Sequence, residues 1–208
     1  SLFRKDNNCE GKSIAEKYKL IEYHKWKVTI DWYQSLGKSK LVLHSAAKFG
    51  FLGTFNKKVG ITPFERFQVG DAGLSNNYGL LGYDIIAHRG YPIYASSDPK
   101  VNPENVNPSE YFTIFNKYQL EMRFPLVTNP SSTIYALTFF EAANGWYNYK
   151  DYNPFRLRRS VGVGMRFFLP MFGLLGFDYG VGLDRIQPGQ TGLKGASRFT
   201  FMLGYEPE

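Results

Sequence analysis

A single cysteine, Cys9, in 208 residues leaves no internal disulfide framework and no zinc cluster. No stretch approaches the ~18 apolar residues of a membrane helix, and mean hydropathy is negative. This excludes only a helical span, because barrel strands bury alternate residues and escape hydropathy scans. A helical period long enough to lay a helix layer over a sheet is also missing. His24 and His44 fall on separate predicted strands with no diagnostic serine motif, and His88 falls in a loop. No nucleophile with its base and orienting group is visible, so the chain reads as a non-enzyme. Metal-ligand spacing is absent, and no cofactor is expected. The formal charge of +7 is dispersed over strand positions and loops. That argues against a nucleic-acid partner and for lumen and rim charge, including contact with anionic headgroups of a lipid bilayer. No signal peptide opens the chain, and its polar start at Ser1 reads as an internal one.

What is present is alternation. Val161, Val163, Met165, Phe167 and Leu169 point one way, and Gly162, Gly164, Arg166 and Phe168 the other. After a turn over residues 170–173, Leu175, Phe177, Tyr179, Val181 and Leu183 alternate with Gly176, Asp178, Gly180 and Gly182. A period of two is a β-strand. An apolar face opposite a glycine-and-charge face fits a barrel wall between lipid and a wet lumen. The 15 Tyr, 18 Phe and 21 Gly favour the same reading, through aromatic girdles and β propensity.

Seven strands are expected, over residues 20–33, 41–52, 112–126, 133–143, 161–169, 175–183 and 198–205. In the first, Trp26, Val28, Ile30 and Trp32 alternate with Lys25, Lys27, Thr29 and Asp31. In the third, Phe112, Ile114, Tyr118, Leu120, Met122 and Phe124 oppose Lys117, Gln119, Glu121 and Arg123. In the seventh, Phe199, Phe201, Leu203 and Tyr205 point outward. Short turns near Gly37, at Asn129-Pro130-Ser131 and at residues 170–173 contrast with long connections over 53–111, 145–159 and 184–197. Short turns at one end and long loops at the other mark an outer-membrane barrel, with residues 53–111 as a long extracellular loop. The expected fold is therefore all-β, an antiparallel transmembrane barrel. Closed bacterial barrels have even strand counts from about eight upward, and an open sheet in lipid leaves edge groups unpaired. Residues 1–208 are thus expected to be one partial domain, lacking N-terminal strands and unable to fold as a monomer.

Four motifs in order carry a family resemblance. A glycine-rich stretch, Gly70, Gly73, Gly79 and Gly82, leads into Arg89-Gly90-Tyr91. Phe139-Phe140-Glu141 precedes Gly145-Trp146, Gly164-Met165-Arg166-Phe167 precedes Phe177-Asp178-Tyr179, and Phe199 to Tyr205 ends the series. Together they resemble the C-terminal half of the barrel in BamA-type outer-membrane assembly factors, a superfamily with a bacterial surface antigen-type barrel. Three residues depart from its pattern: His88 replaces an aliphatic residue, Glu141 replaces Asp, and the tail runs past Tyr205 to Pro207, which cannot donate to a ladder.

The resemblance implies a barrel of about sixteen strands behind periplasmic POTRA domains of the same full-length chain, in the cell outer membrane. It implies a factor that folds and inserts unfolded outer-membrane barrel clients, aided by accessory outer-membrane lipoproteins and using no cofactor. The closing strand with Phe199, Phe201, Leu203, Gly204 and Tyr205 would form a lateral seam that opens to an incoming strand. A two-partner secretion transporter of the same superfamily, or a passive pore, is the alternative.

For the loop, the resemblance implies that Arg89, Gly90 and Tyr91 fold into the lumen, with Arg89 meeting Glu121 and Glu141. Glu121 has inward parity. Glu141 shares parity with Tyr135, Leu137 and Phe139, which are expected to face lipid, so a bulge between Phe139 and Glu141 is predicted. A three-residue turn at 171–173 would set Arg166 directly opposite Asp178 as a lumen pair. Gly162, Gly164, Gly176, Gly180 and Gly182 either clear space for the loop or let the strands curve.

Overall fold

The computed structural model describes residues 22–37, 40–55, 61–62, 64–71, 84–93, 111–129, 132–169, 173–184 and 196–203. Apart from one 3-10 turn at Tyr149–Asp151, every regular element among them is a strand. These are β1 Tyr23–Ser35, β2 Val42–Thr54, β3 Phe67–Val69, β4 Asp84–Ile86, β5 Ile114–Asn129, β6 Ser132–Trp146, β7 Arg158–Leu169, β8 Gly173–Gly182 and β9 Ser197–Leu203. Seven of them form one antiparallel sheet in the order β1-β2-β5-β6-β7-β8-β9. Each strand pairs with the next of the wall, as expected where short turns and long loops alternate in a meander. No helix among the described residues is long and apolar enough to cross a membrane.

Two strands fall inside the long loop, where period-two reasoning finds nothing because three residues are too few to show it. β3 and β4 pair in parallel. β3 is also bridged to Phe112 by reciprocal backbone bonds of 2.9 and 2.7 Å. This pulls the loop over the inner face of the sheet. Phe67, Val69, Ile86 and Tyr91 of the loop pack with Leu52, Phe112, Phe115 and Ala143 into one buried cluster. Phe112 thus lies inward, not with outward Leu120, because it precedes β5 and belongs to the loop's ladder.

The wall separates its two faces by parity. Trp26, Val28, Ile30 and Trp32 of β1 and Val163, Phe199 and Leu203 are each more than half exposed, on the outer face. A soluble sheet would cover such a surface; a barrel wall turns it to lipid. On the inner face, β6 corrects the sequence expectation. Its register with β5 and β7 runs without interruption through Phe139, Phe140 and Glu141, so the predicted bulge is not there. Leu137 and Phe139 are buried on the same face as Glu141, while Phe140 is exposed on the other. Apolar side chains face the lumen here because protein, not water, fills it. The irregularity in this pair lies at Leu126, between Pro125 and Val127. Pro125 lacks the N–H a ladder needs, and a bulge absorbs that loss.

The β7–β8 register also differs from expectation. Arg166 lies opposite Gly176, and Asp178 opposite Gly164. The slip of two residues keeps both side chains on the lumen face, and they meet diagonally.

The three tryptophans of the chain test this two-faced wall. Trp26 and Trp32 are outward at 66% and 67% exposure, and Trp146 is fully buried. In single-tryptophan variants reconstituted in bilayers, acyl-chain bromine should quench Trp26 and Trp32 strongly and Trp146 weakly. Equal quenching of Trp146 would reverse the assignment of faces.

Candidate functional site

The inner face of the wall carries carboxylates on three strands: Glu121 on β5, Glu141 on β6 and Asp178 on β8. Each has a cation of the wall beside it. Arg123 binds Glu121 through Nε and Nη2 at 3.1 and 2.9 Å. Lys117 Nζ lies 3.5 Å from Glu141. Arg166 forms a two-pronged pair with Asp178 at 2.7 and 2.9 Å. Planar guanidinium and carboxylate groups suit that geometry. The Arg166–Asp178 pair therefore exists, but across the diagonal and not between directly opposed residues.

Arg89 enters among these three pairs. Its Nη2 donates to Glu121 at 2.6 Å and lies 2.8 Å from Glu141. Its Nε donates to Glu141 at 2.9 Å, its Nη1 to Asp178 at 3.4 Å, and its backbone amide to Glu141 at 2.8 Å. The guanidinium also stacks 3.7 Å from the centre of the Phe139 ring. Arg89 is buried, as are Glu121, Glu141 and Asp178. Burial alone would lower the pKa of Arg89, but the three carboxylates outweigh it and raise it, so the loop cation stays charged. Lysine could not replace it, because one ammonium cannot present a planar fork to carboxylates on three strands.

The next two residues fix the loop's depth. Gly90 has φ +87° and lies against the β8 backbone; a β-carbon on Gly180 would sit 2.7 Å from its amide nitrogen. Tyr91 lies over Gly182. Its hydroxyl is 2.8 Å from the carbonyls of Arg159 and Asp184 and accepts from the Asp184 amide at 2.8 Å. Burial pushes the Tyr91 hydroxyl up to about 12. The lumen glycines thus divide. Gly180 and Gly182 clear the loop, whereas Gly162, Gly164 and Gly176 clear wall side chains, namely Phe139, Asp178, and Met202 with Arg166.

Residues that the sequence reading did not assign to this site complete the seat. His44 bridges Asp31 at 2.8 Å, stacks on Tyr33 at a centroid distance of 4.2 Å, and approaches Glu121 at 3.6 Å. Lys25 reaches Glu65 and Asp84 of the loop at 2.8 and 2.7 Å. Burial would raise the Asp84 carboxyl, but Lys25 and Lys27 hold it below its ordinary value. Asp71 meets Thr200 and, at 3.2 Å, Arg198 on β9. The signal for these was available in part: each wall residue named has inward parity. Of the expected closing strand, Phe199, Phe201 and Leu203 lie on β9, on its outward parity, and Gly204 and Tyr205 lie outside the described residues.

His88 is fully buried, and burial pushes its imidazole down to about 3. The folded pKa lies below the ordinary 6.5, so stability is intact above pH 6.5 and falls as pH drops toward about 3. The His88 ring should therefore show no titration by NMR between pH 5 and 8; a midpoint near 6.5 would mean the loop is undocked.

The ion pairs predict an order of damage. Arg89→Ala leaves each carboxylate with its wall cation, whereas Glu141→Ala strips buried Lys117 of its ion-pair partner. Breaking a buried pair so that one charge is orphaned costs about 3–5 kcal/mol. Urea unfolding of the full-length protein in lipid should find Glu141→Ala more damaging than Arg89→Ala. Adding Lys117→Met to Glu141→Ala should restore part of the loss; no restoration would mean Lys117 does not depend on Glu141.

Compared with known families, residues 15–206 match the model of the Omp85 superfamily domain. No curated protein matches the chain.

Proposed function

The chain belongs to the Omp85 superfamily, and from that membership and the geometry of its lumen we propose that it serves an outer-membrane β-barrel assembly factor. Membership supports protein insertion or secretion at the outer membrane in general. The observation that favours insertion is the loop seated on the inner face of the wall. The loop's apolar cluster and its ionic anchor occupy the inner face of the wall. A conduit for a translocated chain or a passive pore would need that space. What stays available to a client is backbone at the sheet edge, and strand addition there uses main-chain hydrogen bonds that any β-sequence can form.

In this reading β9 closes a lateral seam, and unfolded barrel clients add to it when it opens. No chemical step is involved. Arg89 keeps the loop docked so that the wall holds its shape while the seam moves. The POTRA domains of the full-length chain would deliver clients, and accessory lipoproteins would act on the same assembly. The expected partners are thus proteins and the bilayer itself.

The test uses the full-length protein in liposomes with an unfolded client barrel, followed by the client's acquisition of protease resistance. Wild type should accelerate client folding several-fold, and Arg89→Ala should lose most of that gain while remaining membrane-inserted. No acceleration by a correctly folded wild type would overturn the assembly reading and favour the two-partner transporter, to be sought as export of a single substrate. Full activity of Arg89→Ala would leave the anchor without a part in the process.

A further inference from the structure

β9 is held by β8 on one side, and among the described residues it has no ladder partner on the other. Such a strand relies on what grips its side chains. Its lumen-facing positions are Arg198, Thr200 and Met202, and the first two converge on one loop residue, Asp71. The Thr200 hydroxyl donates to the Asp71 carboxylate, and Arg198 Nε lies 3.2 Å from the same group. Thr200 and Asp71 are both buried. A charged acceptor makes the hydroxyl bond stronger than a neutral pair would.

Asp71 is itself held by the Arg89-Gly90-Tyr91 segment. Its amide donates to the Tyr91 carbonyl at 2.8 Å, and it forms a parallel bridge with Pro92. The preceding Gly70 donates to Ile86 at 3.0 Å and has φ +139°, and a β-carbon there would collide with the backbone of Pro92 and Ile93. A short, fully hydrogen-bonded path thus runs from β9 through Asp71 to Tyr91, whose hydroxyl is fixed at Arg159 and Asp184.

We infer that Asp71 is a latch: it holds β9 from the lumen side and couples that strand to the docked Arg89-Gly90-Tyr91 segment. The inference rests on the reading of β9 as the seam strand. Moving β9 away from the loop breaks the Asp71 contacts, and undocking the loop removes the carboxylate that β9 depends on. The two events share one free energy, so each must shift the other.

Hydrogen exchange of the full-length protein in lipid nanodiscs reads the latch directly, with no client present. Thr200→Val should raise exchange of β9 amides about tenfold, the effect of losing one hydrogen bond to a charged group, and Asp71→Ala, which also removes the Arg198 contact, at least as much. Protection of β5 and β6 should be unchanged by Thr200→Val, which keeps the side chain's shape. Arg89→Ala should raise β9 exchange as well. Unchanged β9 exchange in both Asp71→Ala and Thr200→Val would overturn the latch. In a Cys9→Ser background, an oxidised Asp71→Cys/Thr200→Cys pair should block client insertion, with recovery on reduction. If β9 exchange responds as stated but the oxidised pair still inserts clients, the latch stands and the moving-seam reading of the assembly activity falls.

Discussion

The rest of the inner face depends on where the Arg89 guanidinium sits. A buried cation is costly unless its hydrogen bonds and countercharges are complete. Arg89 completes them only at a point where β5, β6 and β8 present carboxylates together. No single strand could offer that seat, so its existence requires the wall to be curved and in register. The reverse also holds. The wall's own pairs, Arg123 with Glu121, Lys117 with Glu141 and Arg166 with Asp178, balance each carboxylate before the loop arrives. The loop therefore adds a fourth cation to a neutralised wall. What favours it is geometry: a fork reaching three acceptors, a Phe139 face beneath it, and two glycines where backbone meets backbone.

Much of this was legible in the sequence, and the failures have specific causes. All seven wall strands were read in the sequence, most plainly where alternation is regular, as in β1, β5, β7, β8 and β9. Arg89, Glu121 and Glu141 were joined through the order of the motifs. The parity of β6 went wrong because the rule that apolar side chains face lipid presumes a wet lumen. Leu137 and Phe139 face inward, and the Arg89 guanidinium of the loop stacks on the Phe139 ring. The Arg166–Asp178 register went wrong because it was counted from a turn whose length the sequence leaves open. The pair survives because a slip of two preserves the face and the long arginine side chain spans the diagonal. Asp71 was missed because nothing local distinguishes it in a glycine-rich stretch. The stronger clue was on β9, where outward Phe199 and Phe201 force Arg198 and Thr200 inward, and an inward arginine needs a countercharge.

Charge placement follows the same logic. A formal charge of +7 suggests an anionic partner until the positions are traced. Lys25, Lys27, Arg89, Arg123, Arg166 and Arg198 all bind carboxylates of this chain. Lys25, Lys27, Arg89 and Arg198 hold the loop against the wall, and Arg123 and Arg166 pair within the wall.

The loop touches every strand of the sheet. It meets β1 through Lys25, β2 through Leu52, β5 and β6 through Glu121 and Glu141, β7 through the Arg159 carbonyl, β8 through Asp178, and β9 through Thr200. These contacts differ in kind along the sheet. Over β2, β5 and β6 an apolar cluster backs the ion pairs to Glu121 and Glu141, and apolar contact is non-directional, so it tolerates small shifts. Toward β8 and β9 the contacts are hydrogen bonds and ion pairs, which weaken steeply once distance or angle is lost. A deformation shared across the wall is therefore felt first at its edges, β1 and β9, where the grip is directional. The loop steadies the middle of the sheet through apolar contact and holds its two edge strands through directional bonds.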